Sequence, residues 1–312
     1  MEKDKKIVLP GGAGLVGQNL VAFLKEAGYS NIVVIDKHKK NLDILKSLHK
    51  DVVAVYGDLS EEGDWERSIE GADVVVMLQA QIGAKTYEPF YKNTIKSTEN
   101  VLKACKKYNI EYIVHISSSV VNSVADDFYT QTKKDQEKMV LESGIKNVVL
   151  RPTLMFGWFD RKHLGWLSRF MKRVPIFPIP GDGKYIRQPL YVKDFCNIII
   201  DCIQTRKEGI YDITGIEKVY YTDIIKAIKK YTKSKTLILN IPYWLFYTLL
   251  YIWGIFDPDP PFTVDQLKAL VAGDIFEVID WPNIFNVKPT PFGKAIEETF
   301  THPIYSKVVL EF

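Results

Sequence analysis

Three serines, a tyrosine and a lysine form the sequence pattern best suited to chemistry. Ser117, Ser118 and Ser119 follow an apolar run, and Tyr129 opens a helix-like stretch in which Lys133 comes four residues later. Residues four apart on a helix share a face, so the phenol and the ammonium can be directed at one point. An ammonium beside a phenol favours the phenolate. The pKa of Tyr129 is therefore expected to fall, giving an acid/base for a hydroxyl/ketone pair. A serine hydroxyl at the strand end could hold the reacting oxygen and stabilise the charge that develops on it. Alone, a Tyr and Lys at this spacing describe a surface pair, and a serine run describes a turn.

A second pattern, upstream, gives the first its weight. The run Pro10-Gly11-Gly12-Ala13-Gly14-Leu15-Val16-Gly17 follows the short apolar segment Ile7 to Leu9 and precedes a helix pattern from Gln18 to Ala27. Glycines at this spacing make a tight turn, let backbone amides approach a pyrophosphate and allow close packing of helix on strand. The helix N-terminus favours the negative charge. Asp36, about twenty residues further on, ends the next apolar run, where a carboxylate can accept hydrogen bonds from an adenosine ribose. That favours NAD. Lys37, His38 and Lys39 beside it keep NADP open, since a cation there could meet a 2′-phosphate. Asp58-Leu59 ends a third run, where the carboxylate could meet adenine or simply cap a helix.

These residues need a scaffold that brings strand ends together. Apolar runs at Ile7 to Leu9, Ile32 to Ile35, Val52 to Tyr56, Val74 to Leu78, Tyr112 to Ile116 and Val148 to Leu150 alternate with helix-length segments. Short buried strands separated by helices predict a parallel sheet, because parallel strands need crossovers that cover both faces. The fold class expected is α/β, a Rossmann-type doubly wound sheet whose ligands bind at the carboxyl ends of its strands. Beyond Arg151-Pro152 the pattern changes. Pro175, Pro178, Pro180, Gly181 and Gly183 interrupt it and aromatic residues become dense. Residues 1–155 are thus expected to form the dinucleotide-binding domain and 156–312 mainly a smaller C-terminal substrate domain, with segments near 187–215 returning to the sheet.

The chain has 312 residues, 46% hydrophobic and 25% charged, the balance of a globular protein with a full core. Its 41 basic and 38 acidic residues leave a net charge of +3, too small a field to argue for a nucleic-acid partner. Cys105, Cys196 and Cys202 have no paired spacing, so neither a disulfide framework nor a metal site is expected. Met1 to Lys6 is charged and lacks the apolar region of a signal peptide, which makes the cytoplasm the default compartment.

With these motifs in order, the chain resembles the extended short-chain dehydrogenase/reductases, the NAD-dependent epimerase/dehydratase family. Asn93 to Asn100 is similar to the family's Asn-containing helix. Arg151-Pro152-Thr153-Leu154-Met155-Phe156-Gly157 and Arg187 to Asp194 are similar to its two segments leading toward substrate. The resemblance implies cofactor contacts from Gly11, Gly14, Leu15, Val16, Gly17, Asp36, Asp58, Leu59, Gln79, Ala80, Ser117, Tyr129, Lys133 and Pro152. It implies a catalytic group of Ser119 or Ser118 with Tyr129 and Lys133, substrate contacts from Gln81, Ser118, Ser119 and Arg187, and Asn93 ordering the lysine. It also implies a homodimer formed through helices of the Rossmann domain. Two features depart from the family pattern: Pro10 stands where Thr is common, and the Ser119 to Tyr129 interval is short, as in the branch that includes relatives of a respiratory complex I accessory subunit.

Three functions stay open. A nucleotide sugar could be epimerised or reduced, with Arg187 on its diphosphate; Arg161, Lys162, His163 and Arg169 lie in the same region. A hydrophobic, lipid- or sterol-like alcohol could be oxidised. The chain could also be a dinucleotide-binding assembly subunit without turnover. A dehydratase ranks last, since Val120-Val121-Asn122 supplies no further acid/base pair. The stretch from Ile241 to Phe256 is the most hydrophobic in the chain but, bounded by Asp257 and Pro258, is short of the roughly twenty residues needed to cross a bilayer. It is expected to cover the core. The alternative is weak membrane contact through 243–256, since Trp and Tyr suit a membrane boundary.

Overall fold

The computed structural model describes residues 3–257, 262–273 and 275–311. Met1, Pro258 and Phe312, which bounded segments above, lie outside the described residues. Seven parallel strands form the central sheet: β1 (Ile7–Pro10), β2 (Ile32–Asp36), β3 (Val53–Tyr56), β4 (Val74–Met77), β5 (Tyr112–Ile116), β6 (Lys146–Pro152) and β7 (Gly209–Ile213). Their order is β7-β6-β5-β4-β1-β2-β3. The chain builds outward from β1 through β3 and then crosses to the other side of β1 with β4. That reversal opens a crevice above the carboxyl ends of β1 and β4, where an open α/β sheet takes its ligands.

Valine and isoleucine dominate these strands because both faces are covered. Ile7, Leu9 and Val34 enter one apolar cluster, while Val8, Val33 and Ile35 enter a second on the opposite face. Each such side chain withdrawn from water contributes about 1.5–3 kcal/mol. Pro10 fits the end of a central strand: it lacks an N–H but its carbonyl still accepts from Leu78 N at 3.0 Å.

The helices that bear on the site are α1 (Leu15–Glu26), α2 (Lys39–Leu48), α3 (Ser97–Lys107) and α4 (Phe128–Leu141). Beyond β6 come α5 (Leu164–Arg173), α6 (Val192–Thr205), α7 (Tyr221–Thr232), α8 (Tyr243–Phe256), α9 (Val264–Ala272) and α10 (Phe292–Thr301). A parallel two-stranded ribbon pairs Ile176–Pro180 with Leu237–Ile241. Helix α6 precedes β7 and returns the chain to the sheet edge beside β6. No helix among the described residues is long and apolar enough to cross a membrane.

Helix α8 departs from the expectation that it covers the core. None of its residues is buried; Trp244 is 67% and Phe256 83% exposed. Periodicity could not have foreseen this, because a helix apolar on every side has no face that marks the core.

Candidate active site

The glycine turn divides its labour as the spacing predicts. Gly11 has φ +75°, and a Cβ there would lie 2.5 Å from the Gln79 backbone, so the close approach of β1 and β4 requires glycine. A Cβ on Gly17 would stand 2.1 Å from the Gly12 carbonyl oxygen, which fixes the packing of α1 on the turn. At Gly14 the space is open: a Cβ would meet no protein atom within 4 Å. Gly14, Leu15 and Val16 are partly exposed where α1 begins, which leaves the N-terminus of the helix open to an anion such as a pyrophosphate.

Asp36 is buried at the end of β2 and accepts from Ala13 N and His38 N, both at 3.0 Å, joining the adenosine side to the turn. Lys37, the cation that kept NADP open, is engaged by neighbouring side chains. It donates to Asp58 Oδ2 at 3.2 Å and to Asn93 Oδ1. Burial raises the Asp58 carboxyl, but hydrogen bonds from Ser60 and the Lys37 ammonium outweigh it and hold the pKa below its ordinary value. Leu59 is packed into the core, and its carbonyl accepts from Asn100. Gln79 is buried with Oε1 lacking a partner, an acceptor unfilled by the protein beside the turn. The open cradle at Gly14, the buried carboxylate and this orphaned oxygen suit a dinucleotide with NAD's unphosphorylated ribose.

The proton-transfer residues assemble at the ends of β5 and α4. Asp127 caps α4, accepting from Thr130 N at 2.9 Å, and so starts the helix that carries Tyr129 and Lys133. Of the three serines, Ser118 is the one that bears on Tyr129, favouring the ionised phenol; its Oγ also accepts from Val120 N at 3.4 Å. Ser119 begins a short 3-10 turn. Ser117 faces the other way and donates to Glu137 Oε2 at 2.6 Å.

Lys133 is fully buried and donates to Ile116 O at 2.9 Å and Gln136 Oε1 at 2.5 Å. Burial pushes its pKa down to about 7, partly opposed by Glu137. The expectation that Lys133 lowers the tyrosine pKa is corrected. Burial raises Tyr129, Asp127 adds to the rise, and only Ser118 opposes it. Sharing a helix face was not enough, because Lys133 is drawn inward to a strand carbonyl and an amide.

Asn93 bridges Lys37 and Gln81 (2.7 Å to the latter), and Gln136 bonds Lys133 directly. Gln136 Nε2 further bonds Gln79 O at 3.0 Å and Thr98 Oγ1 at 2.9 Å, tying the lysine to the crevice floor. Behind it, Glu137 pairs with Arg151 of β6 through Oε1 and, at 3.0 Å, Oε2. Both Gln136 and Glu137 were missed, although their offsets of three and four from Lys133 signalled the same helix face. His115, under Lys133, is wholly buried with neither ring nitrogen partnered, and burial then Lys133 push its pKa well down.

Ala80 and Pro152 lie at the carboxyl ends of β4 and β6, and Gln81 is held by Thr94, Gly83 and Asn93. Arg187, expected on a diphosphate, bonds to helix carbonyls through one of its nitrogens. Its Nη2 donates to Ala269 O at 3.2 Å and Leu270 O at 2.6 Å, carbonyls of the last turns of α9. A cavity of about 280 Å³ lies elsewhere, lined by Phe156, Tyr191, Asp194, Trp281, Thr290 and Phe292 among others, with none of the residues expected at the site. The three cysteines are buried free thiols, and burial pushes Cys105 up to about 12. Among the described residues no cluster of His, Cys, Asp or Glu could hold a metal ion.

A doubly wound sheet with a dinucleotide turn and a Ser/Tyr/Lys group at its carboxyl edge defines a Rossmann-type enzyme class. The model of the NAD dependent epimerase/dehydratase family matches residues 7–214, and the chain belongs to that family. It is 27% identical over 249 residues to a decarboxylating sterol-4-alpha-carboxylate 3-dehydrogenase of Schizosaccharomyces pombe, covering 71% of this chain and 73% of that one. It is 22% identical over 307 residues to a UDP-glucose 4-epimerase of Vibrio cholerae, covering 89% and 90%. The fold is also that of a UDP-glucuronic acid 4-epimerase of Bacillus cereus solved with NAD, with a TM-score of 0.68, 21% identity and 95% and 97% of the two chains covered.

Proposed function

We propose that the protein is an NAD-dependent oxidoreductase acting on a secondary hydroxyl or ketone of a hydrophobic, lipid- or sterol-like substrate. The observation that carries the substrate class is Arg187. Its guanidinium is bonded to the carbonyls of Ala269 and Leu270 in α9, where a nucleotide-sugar enzyme of this pattern would present it to a diphosphate. The similarity to the sterol dehydrogenase points the same way.

Gly14, Leu15 and Val16 would receive the pyrophosphate, Asp36 the adenosine ribose and Asp58 the adenine edge, with Gln79 and Ala80 beneath the nicotinamide half. Bound NAD supplies the hydride acceptor and, when oxidised, a positive charge that favours the Tyr129 phenolate. The substrate hydroxyl would sit between Ser118 and Tyr129. Ser118 orients the oxygen, and Tyr129 takes its proton as the carbon gives up hydride, so proton and electron pair leave together in opposite directions. Lys133, with a pKa near 7, can take up or release a proton at the base of the same site. Reduction of a ketone runs the same steps backwards.

A nucleotide sugar is the second reading. Lys162 favours it: its Nζ lies 3.9 Å from where a Cβ on Gly83 would stand, at the loop after β4. Similarity to the UDP-glucose epimerase over most of the chain also supports it.

The test is to follow the reduced-nicotinamide band with NAD and secondary alcohols of the sterol and long-chain hydroxy-lipid type, then with UDP-sugars, scoring isomer interconversion in the latter. Turnover of the lipid alcohols that is lost in Tyr129→Phe is expected. Interconversion of UDP-sugars without lipid turnover would overturn the substrate class. NAD binding without turnover of either class would overturn the enzyme.

A further inference from the structure

Helix α8 has the wrong solvent for its composition. It contains no Asp, Glu, Lys, Arg or His, yet none of its fourteen residues is buried. Ten of the 27 large hydrophobic side chains exposed among the described residues fall between Leu237 and Phe256. The ribbon leading into the helix continues the apolar surface: Leu237 pairs with Ile176, and both are exposed. Tyr243, Trp244, Tyr251 and Trp253 are also exposed, and such rings, apolar with one polar edge, are suited to the boundary between hydrocarbon and headgroups. Contiguous apolar surface of this extent marks a docking face.

The charges around it identify what docks. Residues 161–181 and 224–256 contain no Asp or Glu. The ribbon joins these two stretches, and Ser234 Oγ donates to Met171 O at 2.8 Å, so Lys172, Arg173, Lys233 and Lys235 gather at the corner where both ribbon strands begin. All four are exposed, and none forms an ion pair among the described residues. The carboxylates that bound these two stretches are Asp160, Asp182, Asp223 and Asp257, and Asp223 pairs with Lys226. Asp257 accepts from Trp253 Nε1, and Asp265 pairs with Lys268. A cationic corner next to an uncharged aromatic helix complements a bilayer surface bearing anionic headgroups. At about 1.5 Å per residue α8 is some 21 Å long, short of the ~30 Å hydrocarbon core, so it suits lying in the interface rather than crossing.

We infer that the face formed by α8 and the ribbon docks the protein on an anionic membrane surface, with the aromatic helix in the headgroup boundary and Lys172, Arg173, Lys233 and Lys235 on lipid phosphates. It requires no particular substrate and stands apart from the oxidoreductase proposal.

The test uses the full chain and sedimentation with vesicles of phosphatidylcholine alone or mixed with phosphatidylglycerol. Binding to the mixed vesicles is expected, weakening as salt rises and small on phosphatidylcholine alone. Two variants at exposed positions probe the two components: Trp253→Glu with Ile255→Glu, and Lys172→Glu with Lys233→Glu and Lys235→Glu. Each is expected to lower partition at least about tenfold at low ionic strength, with NAD binding unchanged as the check on folding. No binding to mixed vesicles at low salt would overturn the inference, as would binding indifferent to the Trp253→Glu, Ile255→Glu pair. Self-association abolished by that pair, without vesicle binding, would assign the face to a second copy instead.

Discussion

Tyr129 and Lys133 stand four apart on one helix, but burial treats them differently. Burial raises the Tyr129 pKa and brings Lys133 down to about 7, each toward its neutral form. Removing the phenol in Tyr129→Phe is expected to cost about 10²- to 10⁴-fold in hydride transfer, with NAD still bound, as measured by single-turnover absorbance and by calorimetry. Asp127 raises Tyr129 while capping α4. Asp127→Asn keeps a capping oxygen and removes the charge, so in alcohol oxidation the limb on which the rate rises with pH, as Tyr129 loses its proton, should move to lower pH. A limb that stays in place would show that Asp127 does not govern the tyrosine.

Lys133 makes a separate prediction for stability. Its folded pKa lies below the unfolded value of 10.5, so between pH 7 and 10.5 the unfolded chain binds the additional proton. Stability should therefore rise with pH across that window, by up to about 1.4 kcal/mol per unit, and the buried charge is at its most costly below pH 7. Urea unfolding of the native protein and Lys133→Met at several pH values isolates this slope, which should be absent from the variant.

At the scale of elements, the glycine turn and α9 make contrasting demands. Gly14 faces open space and Gly17 faces the Gly12 carbonyl. Gly14→Val should leave stability within about 1 kcal/mol and abolish NAD binding. Gly17→Ala should lower the melting temperature, because the clash is with backbone and not with ligand. Calorimetry of binding and thermal unfolding separate the two. The turn could be read from spacing, because backbone approach demands glycine wherever it occurs. The fate of Arg187 could not be read from the sequence. Its position in a recognised segment was plain, but the carbonyls of Ala269 and Leu270 that receive it lie more than eighty residues away and exist as acceptors only once α9 ends beside it.

For the whole molecule, the sequence by itself determined the sheet. Six apolar runs of valine and isoleucine, separated by helix-length segments, allow little besides parallel strands covered on both faces, and the glycine fingerprint fixes which strand ends meet the dinucleotide. Aspartate at the end of β2 and the Tyr129 to Lys133 spacing were legible for the same reason: each depends on neighbours within a few residues or at a fixed position in a repeating unit. Tertiary structure decided the remainder. Which of three adjacent serines bears on the phenol depends on the course of the chain leaving β5, and Ser118 is the one that favours its ionised form. The direction of the lysine was decided by a carbonyl on β5 and by Gln136, and the exposure of α8 by its partial cover: α9 and the Phe262 ring, edge-on to Phe246, pack against one side and leave the other open. Those outcomes turn on distant partners and on the surface left uncovered when packing is complete, and a helix that is apolar all round carries no pattern from which its solvent can be inferred.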